Sequence, residues 1–121
     1  MGTAGVVPPG VPPHPRAVKV AALVPDLLFG SKVVAMLEQA GHQVVLGRAG
    51  LDDADALVVD LSDAGIDVEA IGRTAVPTLG FYAHVEPAVR DAALAAGFDV
   101  VVPRSRFARD GVELVERLVA G

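Results

Sequence analysis

Residues 55–62 read DALVVDLS, a short apolar run closed at each end by an aspartate. The four consecutive apolar residues from Ala56 to Val59 favour a strand that is buried on both faces, as the strands of parallel sheets are. Asp60 follows at the carboxyl end of this predicted strand. Because open α/β sheets bind ligands at the carboxyl ends of their strands, Asp60 is the first candidate for a functional residue.

Four further segments have the same apolar character and complete a predicted five-stranded sheet. They are residues 17–24 (AVKVAALV), 42–46 (HQVVL), 76–81 (VPTLGF) and 99–102 (DVVV). Helices are predicted at residues 27–40, at residues 86–96 and, from a capping-box spacing, beyond Asp110. This alternation predicts an α/β fold, a flavodoxin-like doubly wound parallel sheet with the strand order 2-1-3-4-5.

One connection is too short for the usual crossover helix. Only residues 47–55 separate the second predicted strand from the third, so either the link crosses in an extended form or these two strands pair differently. The next connection, residues 61–75, has room for about two helical turns. One sheet face is therefore expected to be thinly covered, which makes it a candidate for contact with a partner protein or a second copy of the chain.

The overall composition excludes several classes of protein. A chain of 121 residues that is 52% hydrophobic has room for one domain. Its net charge of -5 argues against a nucleic-acid partner, because such binding depends largely on clustered Lys and Arg. It has no cysteine for disulfides or thiolate catalysis and no run near the roughly 18 apolar residues that span a bilayer. We therefore expect a cytoplasmic protein without a membrane partner.

The first 16 residues differ from the rest of the chain. They read MGTAGVVPPGVPPHPR, and their prolines favour an extended polyproline II conformation over packed structure. We expect residues 1–16 to be a disordered Pro-rich arm and residues 17–121 to form the α/β domain.

Polar side chains follow four of the predicted strands at one edge of the sheet. They are Asp26 after the first strand, Asp60 after the third, Tyr82 and His84 after the fourth, and Arg104 with Ser105 after the fifth. Ser31 stands near the start of the first helix, where an anion is favoured. Simpler interpretations compete: Asp26 also suits a helix cap, and Arg104 also suits an ordinary loop. His42, at the start of the second strand, is interpreted as structural.

These features together resemble the receiver domain of bacterial two-component response regulators, the CheY-like domain, over about residues 17–120. The resemblance rests on the order of the elements and on three sequence segments: DALVVDLS, VPTLGFYAH and ALAAGFDVVVPRS. It implies a signalling module that is not an enzyme. In that family an aspartate after the third strand accepts a phosphoryl group from a histidine kinase, acids after the first strand help to bind Mg²⁺, and a Thr or Ser and a Lys sense the result.

The resemblance assigns roles to four residues of this chain. Asp60 matches the phosphoacceptor, and Asp26 matches roughly one of the two acids that would hold Mg²⁺ together with Asp60. Arg104 falls where the family has its Lys, and Tyr82 falls at the hydroxyl position. The pattern also departs from the family, because the second acid is missing, Tyr82 is bulkier than Thr or Ser, and the Lys-Pro order is replaced by Pro103-Arg104. The sequence is therefore interpreted as a divergent or pseudo-receiver.

Two functional hypotheses follow. In the first, the chain is a stand-alone receiver-like module that contacts a histidine kinase, a downstream regulator or a second copy of itself, with Asp60 as phosphoacceptor or as the centre of a pocket. In the second, it is a small-molecule or anion-binding domain, or an enzyme, that uses Ser31, His84 and Arg104. No P-loop, Gly-x-Gly-x-x-Gly, Gly-x-Ser-x-Gly or His-Glu-x-x-His pattern occurs, so the reactions that need those motifs lack their required parts.

Overall fold

The computed structural model describes residues 17–63, 65–83 and 87–121. The elements within these residues are β1 (Lys19–Leu23), α1 (Leu27–Gln39), β2 (Gln43–Leu46), a 3₁₀-helix (Arg48–Asp53), β3 (Ala56–Asp60), α2 (Val68–Gly72), β4 (Thr78–Tyr82), α3 (Pro87–Ala96), β5 (Val100–Pro103) and α4 (Arg104–Ala120). None of the described helices is long and apolar enough to cross a membrane. The Pro-rich arm expected at residues 1–16 lies outside the described residues, so the division of the chain stays a prediction.

The five strands form one parallel sheet in the order β2-β1-β3-β4-β5. This confirms the predicted flavodoxin-like topology. In the register between β1 and β3, Leu23 lies opposite Val59. Asp60 is the next residue of β3, so it lies beside the segment that leads from β1 to Asp26. The two acids therefore follow neighbouring strands at the same edge of the sheet, which we call the strand-end edge.

Two hydrophobic cores lie on opposite faces of the sheet. On the first face, Ala56 and Val58 of β3 belong to the cluster that α1 and α4 cover. On the second face, Leu57 and Val59 contact the shorter elements, the 3₁₀-helix, α2 and α3. All five residues of β3 are buried. The unbroken apolar run of this strand thus reflects burial on both sides rather than the alternation of a half-exposed strand.

The connection between β2 and β3 has no α-helix, as the sequence predicts, but it is coiled and not extended. A 3₁₀-helix occupies Arg48–Asp53, and its half-buried Leu51 packs against the second core. Two acids of this connection bind the start of β1. Asp53 forms an ion pair with the Lys19 ammonium, and the Asp55 carboxylate accepts the Lys19 backbone N–H at 2.9 Å.

The last helix begins earlier than the sequence predicts. The capping-box spacing at Asp110 indicates a helix start there, but α4 begins at Arg104, directly after β5. Asp110 instead has non-helical backbone angles inside α4 (φ -119°, ψ 15°). The capping-box sequence therefore lies at a kink within the helix and not at its start. The simpler interpretation of Arg104 as an ordinary loop residue does not hold, because Arg104 and Ser105 belong to the first turn of α4.

The ends of α2 and α3 are in close backbone contact. A Cβ atom added at Gly72 would lie 2.2 Å from the carbonyl oxygen of Ala96, and one added at Gly97 would lie 2.3 Å from the carbonyl oxygen of Gly72. Gly97 also has a φ of +118°, which favours glycine after a helix. These two glycines allow the short α2, only five residues long, to reach α3 and cover the second face.

His42 joins three elements at the opposite edge of the sheet. Its side chain is buried, its Nδ1 accepts the backbone N–H of Val18 at 3.0 Å, and its Nε2 lies 2.7 Å from an oxygen of Glu116 in α4. Because Nδ1 accepts a hydrogen bond, the proton of the neutral ring is on Nε2, which donates to Glu116. The interpretation of His42 as structural agrees with this geometry.

Candidate functional site

Asp60 is the buried acid of the strand-end edge. It is the last residue of β3, it is 8% exposed, and alternation along the strand places it on the same face as Val58. Its Oδ1 accepts the backbone N–H of Ser62 at 2.9 Å. Few buried polar side chains occur among the described residues, where His42 and Thr78 are the others. A buried carboxylate at this edge matches the position that the sequence indicates for the centre of a site.

A second hydrogen bond connects Asp60 to the neighbouring loop. The hydroxyl of Ser62, whose N–H is held by Asp60, accepts the backbone N–H of Ala83 at 3.1 Å. Ala83 directly follows β4. The carboxylate of Asp60 is thereby coupled, through one serine, to the start of the segment that leads to α3. We call these two bonds the Asp60–Ser62–Ala83 relay.

Asp26 caps the first helix. Its Oδ1 accepts the backbone N–H groups of Leu28 and Phe29 at 3.0 and 3.1 Å, and its Oδ2 lies 3.2 Å from the guanidinium of Arg104. The hydrogen bond from Phe29, followed by the interaction with Arg104, lowers the pKa of the Asp26 carboxyl below its ordinary value. Asp26 is thus anionic at neutral pH, and both of its oxygens have partners.

Arg104 is held by two contacts. Its guanidinium pairs with Asp26, and its central carbon lies 4.0 Å above the centroid of the Phe29 ring. That ring is buried and packs edge-to-face on Phe81, with centroids 5.2 Å apart, while Phe81 stacks on Phe107 at 5.4 Å. A planar guanidinium suits such a site because it can stack on an aromatic face while its edge donates to a carboxylate.

A groove of about 490 Å³ opens beside this ion pair, between the first turns of α1 and α4. Its lining includes Lys32, Tyr82, Arg104 and Ser105. Ser105 is exposed, and half-buried Tyr82 also packs against the second core. Ser31, on α1, is exposed and is not part of the groove lining. The structure therefore groups three of the polar residues that the sequence predicts at this edge, Tyr82, Arg104 and Ser105, while His84 lies outside the described residues.

The residues of this edge do not fit the Mg²⁺ site that the resemblance implies at Asp26 and Asp60. One oxygen of Asp26 accepts two backbone N–H groups, and the other faces a guanidinium, whose charge repels a second cation. In residues 17–63, 65–83 and 87–121, no group of three or more His, Asp or Glu side chains is placed to hold a metal ion. The carboxylates here are organised around hydrogen bonds and an arginine.

Several residues of the site carry no clear signal in the sequence. Phe29, the platform of Arg104, looks in the sequence like one apolar residue of an amphipathic helix. Leu27 and Leu28 also fit that helix, yet they are 80% and 82% exposed, next to Asp26. In the sequence, only their position before Phe29, the first buried residue of α1, distinguishes them from the core residues of the helix. Ser62 is of a residue type that often caps helices, but Asp67 caps α2.

The comparisons with known proteins find similarity in structure and not in sequence. No protein-family model matches the chain. No curated protein matches it in sequence.

Solved structures of receiver domains match the fold over most of their length. A response regulator from Thermotoga maritima has a TM-score of 0.74 at 15% identity, with 87% of this chain and 99% of that chain covered. A CheY-like receiver domain from Methanospirillum hungatei has a TM-score of 0.75 at 14% identity, covering 86% and 94%. The receiver domain of NarL from Mycobacterium tuberculosis has a TM-score of 0.72 at 22% identity, covering 88% and 99%.

The chain therefore has the fold of a CheY-like receiver domain, and its identity to these structures is 14 to 22%. At such identity the similarity defines the fold alone. What the chain does must be argued from its own residues.

Proposed function

We propose that the chain is a receiver-like signalling module that acts through protein contacts, without catalysis, and that Asp60 is the centre of its responsive site. The observation that carries this proposal is the Asp60–Ser62–Ala83 relay. A change in the charge or the contacts of Asp60 alters the hydrogen bond to Ser62 and, through it, the segment after β4. A local electrostatic change would then alter a surface that a partner recognises.

The exposed leucines of α1 support the protein-contact part of the proposal. Leu27 and Leu28 are almost fully exposed at the strand-end edge, close in the chain to Asp26. Adjacent exposed apolar side chains of this size are typical of surfaces that bind other proteins. Such a surface is consistent with a kinase or a downstream regulator as the partner, in the cytoplasm.

Within this proposal, Asp60 works as a pocket centre and not as a Mg²⁺-dependent phosphoacceptor, because both oxygens of Asp26, the second candidate ligand, have other partners. The test is incubation of the full chain with Mg²⁺ and acetyl phosphate, followed by intact-mass measurement. We expect unmodified protein. A phosphoryl adduct that disappears in Asp60→Asn would refute this part of the proposal.

The relay itself is tested by a charge change at Asp60. In Asp60→Asn, we expect the amide resonances of Ser62 and Ala83 to shift in ¹H–¹⁵N NMR spectra. The matched control is Asp63→Asn, because the Asp63 carboxylate accepts a different loop amide, that of Gly65, at 3.0 Å. If Ala83 responds no more to the change at Asp60 than to the change at Asp63, the relay does not carry a signal.

The groove between α1 and α4 favours a second candidate function, the binding of a small anion. Lys32, Arg104 and Ser105 line this groove, and among the described residues Lys32 forms no ion pair. A thermal-shift screen with phosphates, nucleotides and sugar acids tests this function. A stabilising shift that is lost in Lys32→Ala and kept in Asp60→Asn would favour anion binding over the signalling role.

A further inference from the structure

We propose that Arg104 is the resident cation of the strand-end edge, and that its guanidinium closes this edge to divalent metal ions. The inference concerns how charge is balanced at the site and does not depend on whether the chain signals. It rests on the placement of Arg104 between Asp26 and Phe29.

The ion pair between Arg104 and Asp26 joins two helices that are far apart in the chain. The residues are 78 positions apart, and their side chains are about two-fifths exposed. An exposed pair of this kind would ordinarily fluctuate, since solvent screening and side-chain entropy oppose it. Here both partners are fixed independently of each other: Asp26 by the backbone of α1 and Arg104 by its position in the first turn of α4.

The aromatic stack beneath Arg104 fixes its position further. The guanidinium lies 4.0 Å above the Phe29 centroid, and Phe29 rests on Phe81, whose ring stacks on Phe107. Phe81 and Phe107 are fully buried, so the platform belongs to the first core. A lysine could supply a charge but not the planar group that covers the ring. The guanidinium of Arg104 is therefore held in place by the side chains of the first core.

The number of carboxylates alone does not exclude a metal ion, because Mg²⁺ is often held by one or two carboxylates and several waters. Asp26 and Asp60 follow neighbouring strands at this edge and supply two carboxylates. The obstacle is the guanidinium, which occupies one oxygen of Asp26 and places a positive charge at the edge. Removal of Arg104 therefore frees that oxygen while the other still caps α1, and a divalent ion gains a site it did not have.

The experiment uses Mn²⁺ as the probe, with paramagnetic broadening of amide signals in the ¹⁵N-labelled full chain. We expect Arg104→Ala and Arg104→Gln to bind Mn²⁺ at least tenfold more tightly than the unmodified chain, with broadening centred on the amides of Leu28 and Leu61. The matched control is Arg109→Ala, which removes a cation from the same helix whose partner is Asp110. This control should bind Mn²⁺ as weakly as the unmodified chain.

A double variant assigns the gained site. Asp26→Asn retains a side-chain oxygen for the helix cap but removes the charge, so combining it with Arg104→Ala should abolish the gain. The proposal is overturned if the unmodified chain binds Mn²⁺ at this edge as tightly as Arg104→Ala does. It is also overturned if both Arg104 variants, folded by circular dichroism, show no gain. Should Arg104→Ala fail to fold, Arg104→Gln decides, because its longer side chain still covers Phe29.

Discussion

Replacement of His42 by alanine should destabilise the domain more than the loss of a surface ion pair would. The backbone N–H of Val18 would lose its acceptor, and Val18 is 4% exposed, so water does not easily replace the imidazole. An unsatisfied buried donor costs about 1–3 kcal/mol. The lost bond to the Glu116 carboxylate and the cavity left by the ring add to this cost. We expect a loss of about 3 kcal/mol in the free energy of unfolding, built from these contributions.

Urea unfolding followed by circular dichroism measures this loss, and a thermal scan checks it. For a domain of this size, about 1 kcal/mol corresponds to roughly 4–8 °C in Tm, so Tm should fall by at least about 12 °C. The matched control is Glu116→Gln, which keeps an oxygen for Nε2–H and should cost no more than about 1 kcal/mol. A loss below about 1 kcal/mol in His42→Ala would refute the view that His42 satisfies a buried backbone donor.

Three further predictions concern packing, pH and the relay. Gly72→Ala should destabilise the domain by about 2 kcal/mol or more, because its Cβ would meet a backbone oxygen of α3, and urea unfolding measures it. The pKa of Asp26 is lowered by the hydrogen bond from Phe29 and by Arg104, so its contribution to stability is complete above the unfolded pKa near 4 and is lost as pH falls through the lower folded pKa. Unfolding between pH 6 and about pH 2 should therefore show a steeper acid loss in the unmodified chain than in Asp26→Asn. Ser62→Ala should speed hydrogen exchange at Ala83 about fivefold, since one hydrogen bond of roughly 1 kcal/mol is removed.

Each of these predictions has a control. Gly65→Ala places a Cβ 3.5 Å from the nearest atom, an ordinary contact, so it should cost far less than Gly72→Ala; equal costs would contradict the close approach of α2 and α3. Equal acid profiles for the unmodified chain and Asp26→Asn would show that the cap and the ion pair do not favour the charged form. Unchanged exchange at Ala83 in Ser62→Ala would remove one step of the relay.

The strands and their order were predictable because burial on both faces leaves a strong trace in the sequence. Side chains from Ala56 to Val59 point alternately into the two cores, so every residue of this run must be apolar. The edges of the elements were less predictable. Pro77, expected at the start of the fourth strand, precedes β4, which begins at Thr78. Such shifts occur because one hydrogen bond more or less decides where a strand begins, and no side chain marks it.

The start of α4 and the role of Arg104 were not predictable from local sequence. Asp110 and Gly111 have the spacing of a helix start, but packing extends the helix six residues earlier, to Arg104. Gly111, the residue after the kink, is buried and lies against Met36 of α1, so α4 packs closely on α1 at this point. The pair between Arg104 and Asp26 depends on the sheet order that brings the ends of β1 and β5 onto one edge, and residue spacing does not encode it.

The departures of this chain from the receiver pattern compensate for one another. In the family, several acids at the strand-end edge are balanced by a divalent ion and a lysine. This chain has a single acid after the first strand, Asp26, which caps a helix and pairs with an arginine. With one acid fewer and no arginine, the edge would hold a metal ion only weakly. With both acids and the arginine, the guanidinium would repel the bound metal ion. Together the two changes leave each charge of Asp26 and Arg104 paired within the chain, while Asp60 stays buried and connected to the loop after β4. Under the proposed function, Asp60 acts through Ser62 and Ala83 while Arg104 supplies the positive charge at the strand-end edge.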